Sequence, residues 1–128
     1  MRLLLDTHVL AWWLKDAPQL PERHRNLIKS LDNDVFVSAA SCWEIAIKVR
    51  AGKWPEAAGL VPGLALALRA TSMTLLPITL AHAERAGLLE HTHKDPFDRL
   101  LAAQALEESL VIATIDPVFR SVPGVSVV

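Results

Sequence analysis

Residues 3–14, Leu3-Leu4-Leu5-Asp6-Thr7-His8-Val9-Leu10-Ala11-Trp12-Trp13-Leu14, read as a buried strand that runs straight into a helix. Leu3-Leu4-Leu5 is a short unbroken apolar run, as in a parallel strand covered on both faces. Asp6 and Thr7 are good helix N-cap types, and Val9, Leu10, Trp13 and Leu14 then recur at helical spacing. The same succession returns downstream. Val35-Phe36-Val37 is a second buried strand, entered from the turn Asp32-Asn33-Asp34. Ser38 or Ser41 can cap the helix after it, which carries Trp43, Ile45, Ala46, Ile47 and Val49 and closes at Gly52.

The rest of the chain fits around these units. Pro18 and Pro21 end the first helix, and Pro21 opens another that runs through Leu27, Ile28 and Leu31. Pro55 and Pro62 bracket a loop, residues 64–69 are helical, and residues 73–76 form a weaker third strand. A helix follows over 79–89, then a polar connector over 91–94. Residues 96–109 make a long helix with Phe97, Leu100, Leu101, Gln104, Ala105 and Glu108 in register. Residues 110–114 are a buried strand, Asp116-Pro117 starts a short turn or helix, and 125–128 form a closing edge strand. Strands alternating with helices predict an α/β fold with a mostly parallel central sheet and helices on both faces. A chain of 128 residues fits a single domain over 1–128, large enough to bury well over half of its unfolded surface.

Composition narrows the function. With 13 basic and 14 acidic residues, the net charge of −1 argues against a sequence-independent polyanion binder that relies on a strong basic field. It leaves room for a nuclease whose bound metal supplies the positive charge. Apolar residues, 52% of the total, suffice for a core and for part of a partner surface. Cys42 is the sole cysteine, so no intrachain disulfide can form. The first apolar run meets Asp6 too early for a signal peptide, and the uncharged stretch 70–83 is too short for a span and contains Pro77. A cytoplasmic protein with no membrane segment is expected.

In open parallel α/β sheets, sites gather outside the carboxyl ends of the strands. Asp6 follows the first strand, Glu44 lies in the first turns of the helix after the second, and Asp116 follows the strand 110–114. Asp95 and Asp98 open the helix that feeds that strand. Carboxylates are the hard ligands that Mg²⁺ and Mn²⁺ take, and a cluster of them can hold ions that activate water for displacement at phosphorus. Each aspartate also suits a plain N-cap, and Asp95 with Asp98 resembles a capping box. Glu44 pairs with Lys48 at i+4 on the simplest reading. Thr7 and Thr114, beside candidate ligands, can orient water or phosphate, or simply cap and extend. His91 and His93 read as surface residues of the connector, Cys42 as a buried inert thiol, and Arg23, Arg25 and Lys29 as a solvated basic face. Trp12, Trp13 and Trp54 suit either a partner groove or the core.

Three blocks carry a family resemblance: Leu3-Leu4-Leu5-Asp6-Thr7-His8, Ser41-Cys42-Trp43-Glu44-Ile45-Ala46-Ile47-Lys48, and residues 93–105, His93-Lys94-Asp95-Pro96-Phe97-Asp98-Arg99-Leu100-Leu101-Ala102-Ala103-Gln104-Ala105. Together they resemble the PIN-domain proteins, and within them the VapC-type toxins of bacterial toxin–antitoxin pairs. The resemblance implies a three-layer PIN-like fold and Mg²⁺-dependent endoribonuclease activity, with Mn²⁺ as a substitute ion. It maps the family acids onto Asp6, Glu44, Asp98 and Asp116, with Asp6, Asp98 and Asp116 as metal ligands. Asp95, Thr7, Thr114 and Lys48 fall in a supporting shell. The partners it implies are RNA, a small VapB-like antitoxin and a second copy of the chain. Two rival functions remain at this point: a catalytically degenerate PIN-like scaffold, and a metal-dependent phosphohydrolase acting on a small molecule. The absence of lysine after Lys94 counts against a receiver-like phosphoacceptor.

Overall fold

In a computed structural model, which describes residues 1–90 and 93–128, the strands pair into one five-stranded parallel sheet. The elements run β1 (Arg2–Leu5), α1 (Thr7–Leu14), α2 (Glu22–Lys29), β2 (Asp34–Ser38), α3 (Ala39–Arg50), α4 (Leu64–Arg69), β3 (Thr74–Leu76), α5 (Leu80–Leu88), α6 (Pro96–Glu108), β4 (Val111–Ala113) and β5 (Ser126–Val127). Short 3₁₀ segments lie at Pro55–Leu60 and Pro117–Ser121. The strand order is β3-β2-β1-β4-β5, with every pair parallel.

The alternation of side chains along β1 explains its unbroken apolar run. Leu5, with Val35, Val37 and Ala113, packs against Val9 and Leu10 of α1, Ile28 of α2, Ile45 of α3 and Leu64 and Leu68 of α4. Leu4, with Ile112, packs on the opposite face against Leu101, Ala102 and Ala105 of α6 and against Phe119. Both faces are covered, so no position of residues 3–5 can be polar. The result is the three-layer α/β architecture expected.

Between β1 and β4 the direction of winding reverses. The chain leaves β1 toward β2 and β3 on one side, then returns through α5 and α6 to place β4 on the other. Such a reversal opens a crevice beyond the carboxyl ends of the two strands. Leu5 and Ala113 are paired at those ends, and the Asp6 N–H donates to the Ala113 carbonyl at 3.1 Å. Asp6 and Thr114 therefore emerge side by side.

Two expectations about local structure change, and one alternative is resolved. The helix expected to run through Leu31 stops at Lys29, and Leu31 is 99% exposed. Asn33 takes the Leu27 carbonyl at 2.9 Å and draws the chain over toward β2. Of the two serines, Ser38 is the N-cap of α3, accepting from Ala40 N. Cys42 is only partly buried, because it borders a surface recess between α3, α4 and β3. Trp12, Trp13 and Trp54 pack partly buried against the core, with the His8 ring between Trp12 and Trp54. Among the described residues, no helix is long and apolar enough to cross a membrane.

Candidate metal centre

Asp6 is buried at the mouth of the reversal, 5% exposed, and caps α1 through the His8 N–H. Its other oxygen, Oδ2, receives the Thr114 hydroxyl at 2.5 Å. Burial pushes its carboxyl above the ordinary value, with a further push from the charge of Glu44, against the hydrogen bonds from Thr114 and His8. The opening of α3 is tied to the same point, since Thr7 Oγ1 and Ser41 Oγ lie 2.9 Å apart in a buried contact.

One turn further along α3, Glu44 is 3% exposed. Lys48 donates to its Oε2 at 2.5 Å. Burial works against the charge on Lys48, yet the bond to Glu44 and the charges of Glu44, Asp95 and Asp98 outweigh it and hold the ammonium above its usual value. The simple i+4 pair is therefore present, and its lysine also answers the acids of α6.

Asp95 is the N-cap of α6, accepting from Phe97 N at 2.8 Å and Asp98 N at 3.2 Å. The expected capping box does not close, because the Asp98 carboxylate turns to the His93 ring instead, with Nε2 to Oδ2 at 2.7 Å. Burial pushes Asp98 up to about 6; the charges of Asp95, Asp6 and Glu44 add to the push and the His93 bond opposes it. Four carboxylates from three elements thus feel one another, and a divalent cation with oxygen-seeking chemistry fits that donor set.

Asp116 stands at the rim. It is exposed, and Oδ1 caps the 3₁₀ segment by accepting from Val118 N at 2.9 Å. Its link to the cluster runs through the backbone: the Asp116 N–H donates at 2.9 Å to Thr114 Oγ1, the same hydroxyl that holds Asp6.

The PIN domain family matches residues 3–125. The chain belongs to the PIN-domain family. No curated protein matches the sequence. Among solved structures, this PIN domain is similar to a chain of VapBC2 from Rickettsia felis, bound to a promoter DNA fragment, with 16% identity and a TM-score of 0.72 over 100% of this chain and 98% of that one. It is similar to a chain of FitAcB from Neisseria gonorrhoeae at 26% identity and a TM-score of 0.70, covering 98% and 95% of the two chains. It is also similar to VapC20 of Mycobacterium tuberculosis, a sarcin-ricin loop cleaving toxin, at 17% identity and a TM-score of 0.67, covering 94% and 95%.

The PIN domain draws Asp6, Glu44, Asp95, Asp98 and Lys48 into one electrostatic neighbourhood and leaves Asp116 joined to it through Thr114. His93 corrects the surface reading given to it, since it is half-buried and bonded to Asp98. Ligand atoms of His93, Asp95 and Asp98 all lie within 4.8 Å of one another. The usable signal was the spacing His93-x-Asp95-x-x-Asp98, which puts a ring two residues before an N-cap and its carboxylate neighbour. His91, read as a surface residue in the same way, lies outside the described residues.

Proposed function

We propose that this chain is a Mg²⁺-dependent endoribonuclease, the toxin of a type II toxin–antitoxin module. The observation that carries the proposal is the placement of Asp6, Glu44 and Asp98, from three separate stretches of chain, at the winding reversal of the sheet, where Thr7 and Ser41 join α1 to α3 and Trp43 and Phe97 join α3 to α6. Among the described residues, two carboxyls are pushed upward there and one lysine, Lys48, is paired into the cluster, a balance that a divalent cation improves.

Asp6, Asp98 and Asp116 would hold one or two Mg²⁺ ions, directly or through water, with Mn²⁺ as a substitute. Such an ion, when bound, lowers the pKa of water and offsets the charge that builds on a phosphodiester during in-line attack. Glu44 positions the attacking water, and Lys48 holds Glu44 by donating to its Oε2. Thr114 fixes the orientation of Asp6, while Thr7 anchors α1 to α3 so that Asp6 and Glu44 keep their spacing. Attack by water on phosphorus, with cleavage of the P–O3′ bond, would leave a 5′-phosphate on one RNA product and a 3′-hydroxyl on the other.

Similarity to chains of a toxin–antitoxin complex from Klebsiella pneumoniae and of a VapBC toxin–antitoxin system from Mycobacterium tuberculosis supports a small antitoxin as the partner that blocks the site. A homodimer acting in the cytoplasm as a single-domain enzyme completes the proposal. The test is purified protein against an RNA panel and a panel of small phosphoesters, with Mg²⁺ and with chelator. RNA cleavage that requires the metal and disappears in Asp98→Asn is the expected outcome. Cleavage of the small phosphoesters alone, or unchanged RNA cleavage by Asp98→Asn, rejects the assignment.

A further inference from the structure

A single arginine of α6 ties the C-terminal end of α5 to His93. The Arg99 guanidinium donates from Nε to the Ala86 carbonyl at 3.0 Å, from Nη2 to Gly87 at 3.3 Å and Leu89 at 2.9 Å, and from Nη1 to the His93 carbonyl at 3.1 Å. One residue earlier on the same helix, Asp98 holds the ring of that same histidine. Neither contact is required to start α6, since Asp95 supplies its cap. The two grips have one result: the backbone and the imidazole of His93 are both fixed with respect to the Asp98 carboxylate. His93 and Asp98 border a small recess with Ala102, Val118 and Phe119, so apolar groups shield the pair on that side.

We propose that His93 is a positioning residue for Asp98 as a metal-holding carboxylate, and that Arg99 is the clamp that keeps it in place. The inference rests on the proposed metal-dependent function and assigns a residue outside the four acids to it. His93 engages Oδ2 of Asp98 and leaves Oδ1 for a cation. Mg²⁺ prefers that oxygen to an imidazole nitrogen, which puts His93 on the carboxylate and not on the ion. A first-turn aspartate at the edge of solvent otherwise moves among staggered rotamers, and a cation must then order it at the moment of binding. Partners that orient a metal ligand in this way are worth about 10–100-fold in affinity.

Calorimetric titration of Mg²⁺ and of Mn²⁺ into the full chain tests this. His93→Ala is expected to weaken Mg²⁺ binding about 10–100-fold. His93→Gln, which keeps an N–H donor, restores most of the loss, and Arg99→Lys, which cannot span four carbonyls, falls with the alanine variant. His93→Ala that binds as tightly as wild type overturns the inference and leaves the metal-dependent function standing. Wild-type protein that ignores both ions overturns the two together. A glutamine variant as weak as alanine, with Mn²⁺ losing more than Mg²⁺, makes His93 a ligand in its own right and also defeats the inference. Nitrogen NMR of the metal-free wild type covers the case in which His93→Ala does not fold. A ring protonated at Nε2 is expected, and a neutral ring protonated only at Nδ1 cannot donate to Asp98.

Discussion

Thr114 Oγ1 donates to Asp6 Oδ2 at 2.5 Å, across the seam where the end of β4 meets the end of β1. The hydroxyl accepts the Asp116 N–H at the same time. One threonine therefore orients the buried aspartate and ties the exposed one to it, although 108 residues separate Thr114 from Asp6 in sequence.

Thr114→Val keeps the shape of the strand end and removes both bonds. Asp6 and the Asp116 amide each lose a partner, at a cost of about 1–3 kcal/mol where the group stays dry. Chemical denaturation in chelator should show that loss, and Mg²⁺ affinity should fall with it. Thr114→Ser should behave as wild type in both measurements.

The pH dependence follows from Asp98, raised from 3.8 to about 6, and from Asp6, raised in the same direction. The folded protein binds these protons more tightly than the unfolded chain does. The contribution of Asp98 to stability is therefore full below the unfolded value near 3.8 and is lost as pH rises through about 6, and Asp6 acts in the same direction. In chelator, wild type minus Asp98→Asn should show stability falling across this window. Saturating Mg²⁺ should flatten or reverse the slope, and RNA cleavage should rise with pH over the same interval.

Lys48→Met strips the counter-charge from Glu44, a nearly buried carboxylate. Breaking a buried pair from one side costs about 3–5 kcal/mol, and the partial exposure of Lys48 places this case nearer 1–3. The melting temperature should drop in chelator and recover with Mg²⁺, because the cation replaces the ammonium. A variant as unstable with Mg²⁺ as without it would separate Glu44 from the metal.

Gln104 is fully buried on α6, accepting from Ser38 Oγ at 2.5 Å and donating to the Pro77 carbonyl at 3.2 Å. Ser38 is also the cap of α3, so this amide connects α6 to the helix that carries Glu44. Gln104→Leu strands both partners and should cost about 2–4 kcal/mol by urea denaturation. Gln104→Glu should be destabilised more at neutral pH than at low pH, where its carboxyl can be protonated.

What was legible in the chain depended on how local the cause was. Leu3-Leu4-Leu5 announced a doubly covered strand because burial on both faces acts on each residue separately. Asp6 and Glu44 could be picked out because strand ends are where such sheets gather chemistry. His93 was misread because its partner, Asp98, lies across the start of a helix, and only the fold turns the ring back onto that carboxylate. Leu31 was misread because helical spacing continues past Lys29 while Asn33 pulls the backbone away. At Asp95 and Asp116 the capping role read from the sequence is present, with Oδ1 satisfying the backbone at each.

The outermost strands, β3 and β5, have three and two residues. Such stubs expose too few unpaired amides and carbonyls to template another strand, so stacking of copies edge to edge into fibrils is discouraged. The protein is left to meet other molecules through its helices and loops, and can be concentrated with little danger of sheet-driven aggregation.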